Sequence, residues 1–152
     1  MNIQEIMTKN VITANPETPL TEVADIMLRN RFHGIPIIGE DRKILGIITE
    51  TDFFTKSSTN SIFLPSYIDF LKKMKVADSL SKEEQEKMDK LFSIKAKDIM
   101  TADCRTVQSD MEVAELLEIF KKTKFSSVPV ADAQKHLLGI ITVADVINMI
   151  RV

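Results

Sequence analysis

Apolar and polar positions along this chain follow a strand–helix–strand–strand–helix rhythm, and the rhythm occurs twice. Val11-Ile12-Thr13 is a short strand candidate ahead of an Asn15-Pro16 turn. Leu20, Val23, Ala24, Met27 and Leu28 then recur at helical spacing, a stripe wide enough to face a core. Thr18 is the expected N-cap of that helix and Pro19 its first residue. Ile35-Pro36-Ile37-Ile38 reads as a second strand whose proline suits a strand end or an edge. Positions 39–43 carry turn chemistry, Ile44–Thr49 reads as a third strand, and a helix is expected from about Glu50. In the second copy Val113, Leu116, Leu117 and Phe120 form the helix stripe and Val128-Pro129-Val130 the strand. A turn over 132–135 follows, and the final helix carries Val146, Ile147 and Ile150.

The copies are related by a constant displacement of 93 positions, from Leu45 to Leu138, without a gap from about Ile3 to Phe54. Ile6-Met7-Thr8 matches Ile99-Met100-Thr101, Pro36 matches Pro129, and Leu45-Gly46-Ile47-Ile48-Thr49 matches Leu138-Gly139-Ile140-Ile141-Thr142. Two copies are too few for a solenoid. They predict half-domains that each lack a complete core and bury a face against the other. The expected units are 1–56 and 95–152, joined by an insert over 57–94. Within the insert, Ser66 with Ile68, Leu71 and Met74 suggests one amphipathic helix. Ser81-Lys82-Glu83-Glu84, a capping box ahead of Met88, Leu91 and Phe92, predicts a second. These helices read as an outer spacer or, with Ile62-Phe63-Leu64, as a dimer or partner surface.

Composition narrows the function more by exclusion than by suggestion. A chain of 152 residues with 44% hydrophobic and 28% charged content is expected to be a soluble globular protein. A net charge of −2 gives no electrostatic case for nucleic acid or anionic lipid, and no apolar run predicts membrane insertion. The lone Cys104 and the absence of a signal-peptide pattern point to the cytoplasm. Two separated histidines and one cysteine predict no metal site, and four glycines are too few for a phosphate-binding loop. No nucleophile or acid–base pair with its orienting partner can be named, so no catalytic residue is expected. His136 is expected to be solvated in its turn, and the eight methionines to fill core gaps.

The chemistry concentrates at Thr49-x-x-Asp52 and Thr142-x-x-Asp145, where a strand runs into a helix. Such a pair can cap the helix, a contribution of ~1 kcal/mol that suffices to retain it. It can also hold a ligand, because a helix start offers free N–H groups and a carboxylate can accept both hydroxyls of a ribose. Asp, being shorter than the Glu usual in a capping box, is expected to reach the N-cap N–H less easily.

Taken together, Glu5–Thr8 and Asp98–Thr101, the Ile-Pro-Ile and Val-Pro-Val strands and both Gly-Ile-Ile-Thr-x-x-Asp endings resemble a tandem pair of cystathionine-β-synthase (CBS) domains. The resemblance covers everything except the insert. It implies an α+β fold of two pseudo-symmetric domains, each a small three-stranded sheet with two helices, plus an inserted helical segment. It also implies two clefts for an adenosine compound such as AMP, ADP, ATP or S-adenosylmethionine, acting as a regulatory ligand rather than a required cofactor. Asp52 with Thr49 would serve one cleft, completed by Cys104, Arg105, Thr106, Phe125 and Ser126. Asp145 with Thr142 would serve the other, completed by Val11, Ile12, Thr13, Phe32 and His33. On charge, His33 and Arg105 are expected to favour the Asp52 cleft for a nucleotide, leaving the Asp145 cleft with Lys124 alone. A homodimer and a separate effector protein complete the expectation. The alternative is a structural or protein-interaction module with empty clefts.

Overall fold

The computed structural model describes residues 1–55 and 81–151. Its elements in chain order are α1 (Leu20–Asn30), β1 (Gly34–Ile38), β2 (Ile44–Thr49), α2 (Asp52–Thr55), α3 (Lys82–Ser93) and α4 (Ala96–Ile99). They continue with β3 (Thr101–Ala102), α5 (Val113–Lys122), β4 (Ser127–Ala131), β5 (Leu137–Thr142) and α6 (Val143–Met149). Within each half the two long strands pair antiparallel, Pro36 opposite Ile47 and Pro129 opposite Ile140.

The third strand of each sheet comes from the other half. β3, which opens the second repeat, pairs with β2 of the first through Gly46↔Ala102 and Ile47↔Thr101. Reciprocally, Thr8 of the first repeat bridges Ile140 of β5. The cores are exchanged in the same way. Ile94, Ala96 and Ile99 pack with Leu20, Val23, Ile35 and Ile48, while Ile3 packs with Leu116, Val128, Val130 and Ile141. A third cluster of Ile44, Ala131 and Leu137 joins the halves, reinforced by the Ile44 N–H donating to the Lys135 carbonyl at 2.9 Å. Two α+β units, each with a small sheet completed by its partner, thus share their cores.

This exchange explains the two glycines of the repeated motif. A Cβ on Gly46 would lie 2.5 Å from the Thr101 carbonyl oxygen, and one on Gly139 would lie 2.7 Å from that of Thr8. Met100 and Met7 lie over the same two positions with their sulfurs in near contact. The prolines fit for a related reason. Pro36 accepts from the Ala14 N–H through its carbonyl, and its missing donor faces that single-residue bridge rather than the β1–β2 ladder.

Several local expectations need correction. The strand expected at Val11-Ile12-Thr13 is reduced to one parallel bridge, Ala14↔Ile37, with Val107↔Val130 as its counterpart. Thr18 does not cap α1. Its Oγ1 accepts from the Asn15 N–H at 3.0 Å and closes the turn, while Pro19 takes the cap position and the Leu20 N–H donates to the Ile94 carbonyl. Leu28 and Leu117 leave the predicted stripes for solvent, and Ile26 and Ile119 pack on the cores instead. In the insert, Ser81 caps α3 by accepting from the Glu84 N–H at 3.1 Å. The helix expected around Ser66 to Met74 and the segment Ile62-Phe63-Leu64 lie outside the described residues.

Candidate functional site

Thr142 and Asp145 form a capping box at the start of α6, and in both Thr-x-x-Asp motifs the short aspartate reaches the threonine N–H without difficulty. Asp145 Oδ2 accepts from the Thr142 N–H at 2.8 Å and from its hydroxyl at 2.9 Å, while the Asp145 N–H donates to Thr142 Oγ1 at 3.1 Å. Asp52 Oδ2 likewise accepts from the Thr49 N–H at 2.8 Å and its hydroxyl at 3.3 Å. The expected difficulty of reach is overturned. An extended cap residue, φ −122° and ψ 162° at Thr142, turns its own N–H toward the carboxylate three residues on.

What remains of each carboxylate differs. Asp52, 4% exposed, uses Oδ1 to accept from the Thr101 hydroxyl at 3.1 Å, so Thr49 and the exchanged strand between them engage both of its oxygens. Asp145 is half-buried, and its Oδ1 accepts no hydrogen bond among the described residues. Thr8, the repeat counterpart of Thr101, makes no such bond to it.

Each aspartate borders a cavity between the halves. The Asp52 cavity, about 250 Å³, includes Thr49, Glu50, Cys104, Arg105, Lys124 and Phe125 in its walls. The Asp145 cavity, about 410 Å³, is walled by Ile12, Arg31, Phe32 and Thr142 among others. His33, Ser126 and Ser127 line both. Two of the expected site residues fall elsewhere: Thr106 lines neither cavity, and Thr13 faces a separate depression beside Asn15 and Glu22. Cys104 and Arg105 line the cleft, and the chain is buried again at Val107.

His33 and Arg105 line the Asp52 cavity, and the charge assignment changes at Lys124. Lys124 belongs to the Asp52 cavity, and Arg31, held at φ 54° where it closes α1, belongs to the Asp145 cavity. Each helix-to-strand loop crosses to the opposite cleft. His33 Nδ1 lies 2.9 Å from Glu50 Oε1, so the Asp52 cavity carries a second carboxylate that already engages the imidazole. The repeat counterpart of Glu50 is Val143, leaving Asp145 as the acidic group in its cavity wall. Burial pushes the Cys104 thiol pKa up, which disfavours the thiolate. His136 is not merely solvated. Its Nδ1 lies 2.9 Å from Asp132 Oδ2 and its N–H donates to Asp132 Oδ1, which fastens the β4–β5 turn.

Thr101, Glu50 and Ser127 escaped sequence reasoning as site residues. Thr101 stood in the repeated opening, yet only the strand exchange brings it to Asp52. The described residues include no group of acidic, histidine or cysteine side chains arranged to hold a metal, and no helix among them is long and apolar enough to cross a membrane.

Comparison with known proteins agrees with this architecture. The uncharacterized protein MJ1426 of Methanocaldococcus jannaschii is 28% identical over 97% of this chain and 90% of its own length. The crystal structure of protein MJ1225 from the same organism matches with a TM-score of 0.74 at 27% identity, over 99% of this chain and 48% of that one. The chain thus spans about half of that longer relative. CBSX2 of Arabidopsis thaliana, solved in complex with AMP, shares the fold at a TM-score of 0.70 and 18% identity, over 97% of this chain and 94% of its own. The CBS domain family matches residues 3–58 and 96–152. The chain belongs to the CBS domain family, as a tandem pair forming a regulatory rather than a catalytic module.

Proposed function

We propose that this module senses an adenosine compound, AMP, ADP, ATP or S-adenosylmethionine, and that the Asp145 cleft is its principal site. The observation that carries this reading is the half-used carboxylate of Asp145. Oδ2 is held by the Thr142 cap, while Oδ1 is left to accept from a ribose hydroxyl at the wall of a 410 Å³ cavity. Arg31 supplies positive charge for a phosphate in the same cavity, and Ile12 and Phe32 supply apolar wall for a base. The AMP complex of CBSX2 supports the ligand class. A ligand touching both halves changes their arrangement only as far as it prefers one arrangement. The signal then passes to a separate effector protein. Two copies pair in this reading, covering Ile147 and Ile150, which stand 57% and 79% exposed on and just beyond α6. A monomeric mass by light scattering would remove the pairing.

A thermal-shift titration with AMP, ADP, ATP and S-adenosylmethionine tests the sensor itself. A ligand at ~100 times its Kd adds ~2.7 kcal/mol, an upward shift of several degrees for a chain of this size. A sensor of cellular nucleotide levels would bind at ~1–100 μM. No shift with any of the four returns the module to a purely structural or protein-interaction role.

A further inference from the structure

We propose that the Ser127 hydroxyl is a ligand-binding group shared by the two clefts, so that an adenosine compound in one weakens binding in the other. The proposal rests on the adenosine reading above. Ser127 opens β4, is 9% exposed, and its Oγ finds no hydrogen-bond partner among the described residues. A buried hydroxyl left unpaired is unfavourable and calls for an explanation. It closes no turn and caps no helix, and Ser127 is a wall residue of both cavities. The repeat counterpart of Ser127 is Gly34, and a Cβ built there would lie 3.0 Å from Ser127 Oγ. The two positions meet at the seam between the halves, and the glycine leaves room for the hydroxyl. One hydroxyl therefore serves two clefts.

A serine hydroxyl has a single proton to donate, and it rotates to suit its acceptor. A ligand acceptor in the Asp145 cleft, a ring nitrogen or a phosphoryl oxygen, takes that proton and leaves the Asp52 cleft facing lone pairs. The Asp52 cleft is already the weaker site, because both oxygens of Asp52 are engaged and Glu50 adds a second carboxylate to its wall. Linkage makes the coupling reciprocal: each ligand lowers the affinity for the other by the same factor.

The test is calorimetric titration of AMP into the full chain and into Ser127→Ala. The wild type is expected to bind two molecules, the second more weakly than statistics alone require. Ser127→Ala should bind the first about tenfold more weakly, ~1.4 kcal/mol, with the two constants drawing together. Its ligand-free melting temperature should hold or rise, because an unpaired hydroxyl has been removed. A merely structural hydroxyl would lower the melting temperature and leave the constants apart. Ser127→Ala binding AMP with wild-type constants overturns the shared donor while the adenosine reading stands. Two equal, independent wild-type sites overturn the coupling. A wild-type chain that takes up no AMP and no S-adenosylmethionine removes both.

Discussion

The Asp52 and Asp145 clefts carry the same Gly-Ile-Ile-Thr-x-x-Asp run and the same bond from the threonine N–H to the aspartate, and yet they offer a ligand different chemistry. In one, Thr101 takes the second carboxylate oxygen and Glu50 takes His33. In the other, the counterparts Thr8 and Val143 take neither. The motif sets the frame, and residues outside it decide whether the frame is open. A capped aspartate and a ligand-binding aspartate are the same side chain with one oxygen engaged or two.

The largest effect is expected where the two regions are most alike. Gly46→Ala and Gly139→Ala each force a Cβ against a backbone carbonyl of the exchanged strand, at 2.5 and 2.7 Å. Neither backbone can yield without breaking the pairing. Each substitution should destabilise by ~3 kcal/mol, read as a lowered urea midpoint with little change in slope. A tolerated alanine at either position would show that the strand is not exchanged there.

Next comes the difference between the aspartates. Asp145→Ala should lower AMP affinity about a hundredfold, ~2.7 kcal/mol, by removing the acceptor proposed for the ribose. Asp52→Ala should change the tighter constant less than about threefold, yet cost ~1–2 kcal/mol of stability, because its bonds to Thr49 and Thr101 hold the fold. Calorimetry and urea unfolding on both variants give the two columns of the comparison. Equal losses of affinity would restore symmetry between the clefts.

Much of this was legible in the chain, and what was not has a common cause. The repeat, both strand pairs and the Ser81 cap follow from periodicity and cap chemistry, which act between near neighbours. Leu28 was misread because Leu and Ile are equivalent to a pattern, while only the direction of the core prefers Ile26. Lys124 was placed in the wrong cleft because it crosses to the Asp52 side with Phe125, and spacing within a repeat does not give that position. Asp52 looked equivalent to Asp145 since the hydroxyl that distinguishes them arrives from position 101. Local structure and the sharing of each cleft between the halves were readable, and the individual contacts across the seam were not.

The smallest expected effect separates the two exchanged openings themselves. Glu17 in the turn before α1 bonds to Lys95 and to Lys97, the latter at 2.6 Å, and so clamps the opening of the second repeat onto the first half. The counterparts in the other exchange are Asp110, Asn2 and Gln4, which include no cation. The hydrogen bonds from Lys95 and then Lys97 lower the Glu17 pKa from 4.5 to about 2. The folded value lies below the unfolded one, so the clamp contributes its full stability above about pH 4.5 and loses it as the pH falls toward 2. Glu17→Gln should therefore be slightly less stable than the wild type at pH 7, and the gap should close by pH 2. Asp110→Asn should show no such convergence. Because Glu17 is exposed, added salt should shrink the gap at pH 7, and a gap indifferent to both salt and pH would mean that the second opening is held by the packing of Ile94 and Ile99 alone.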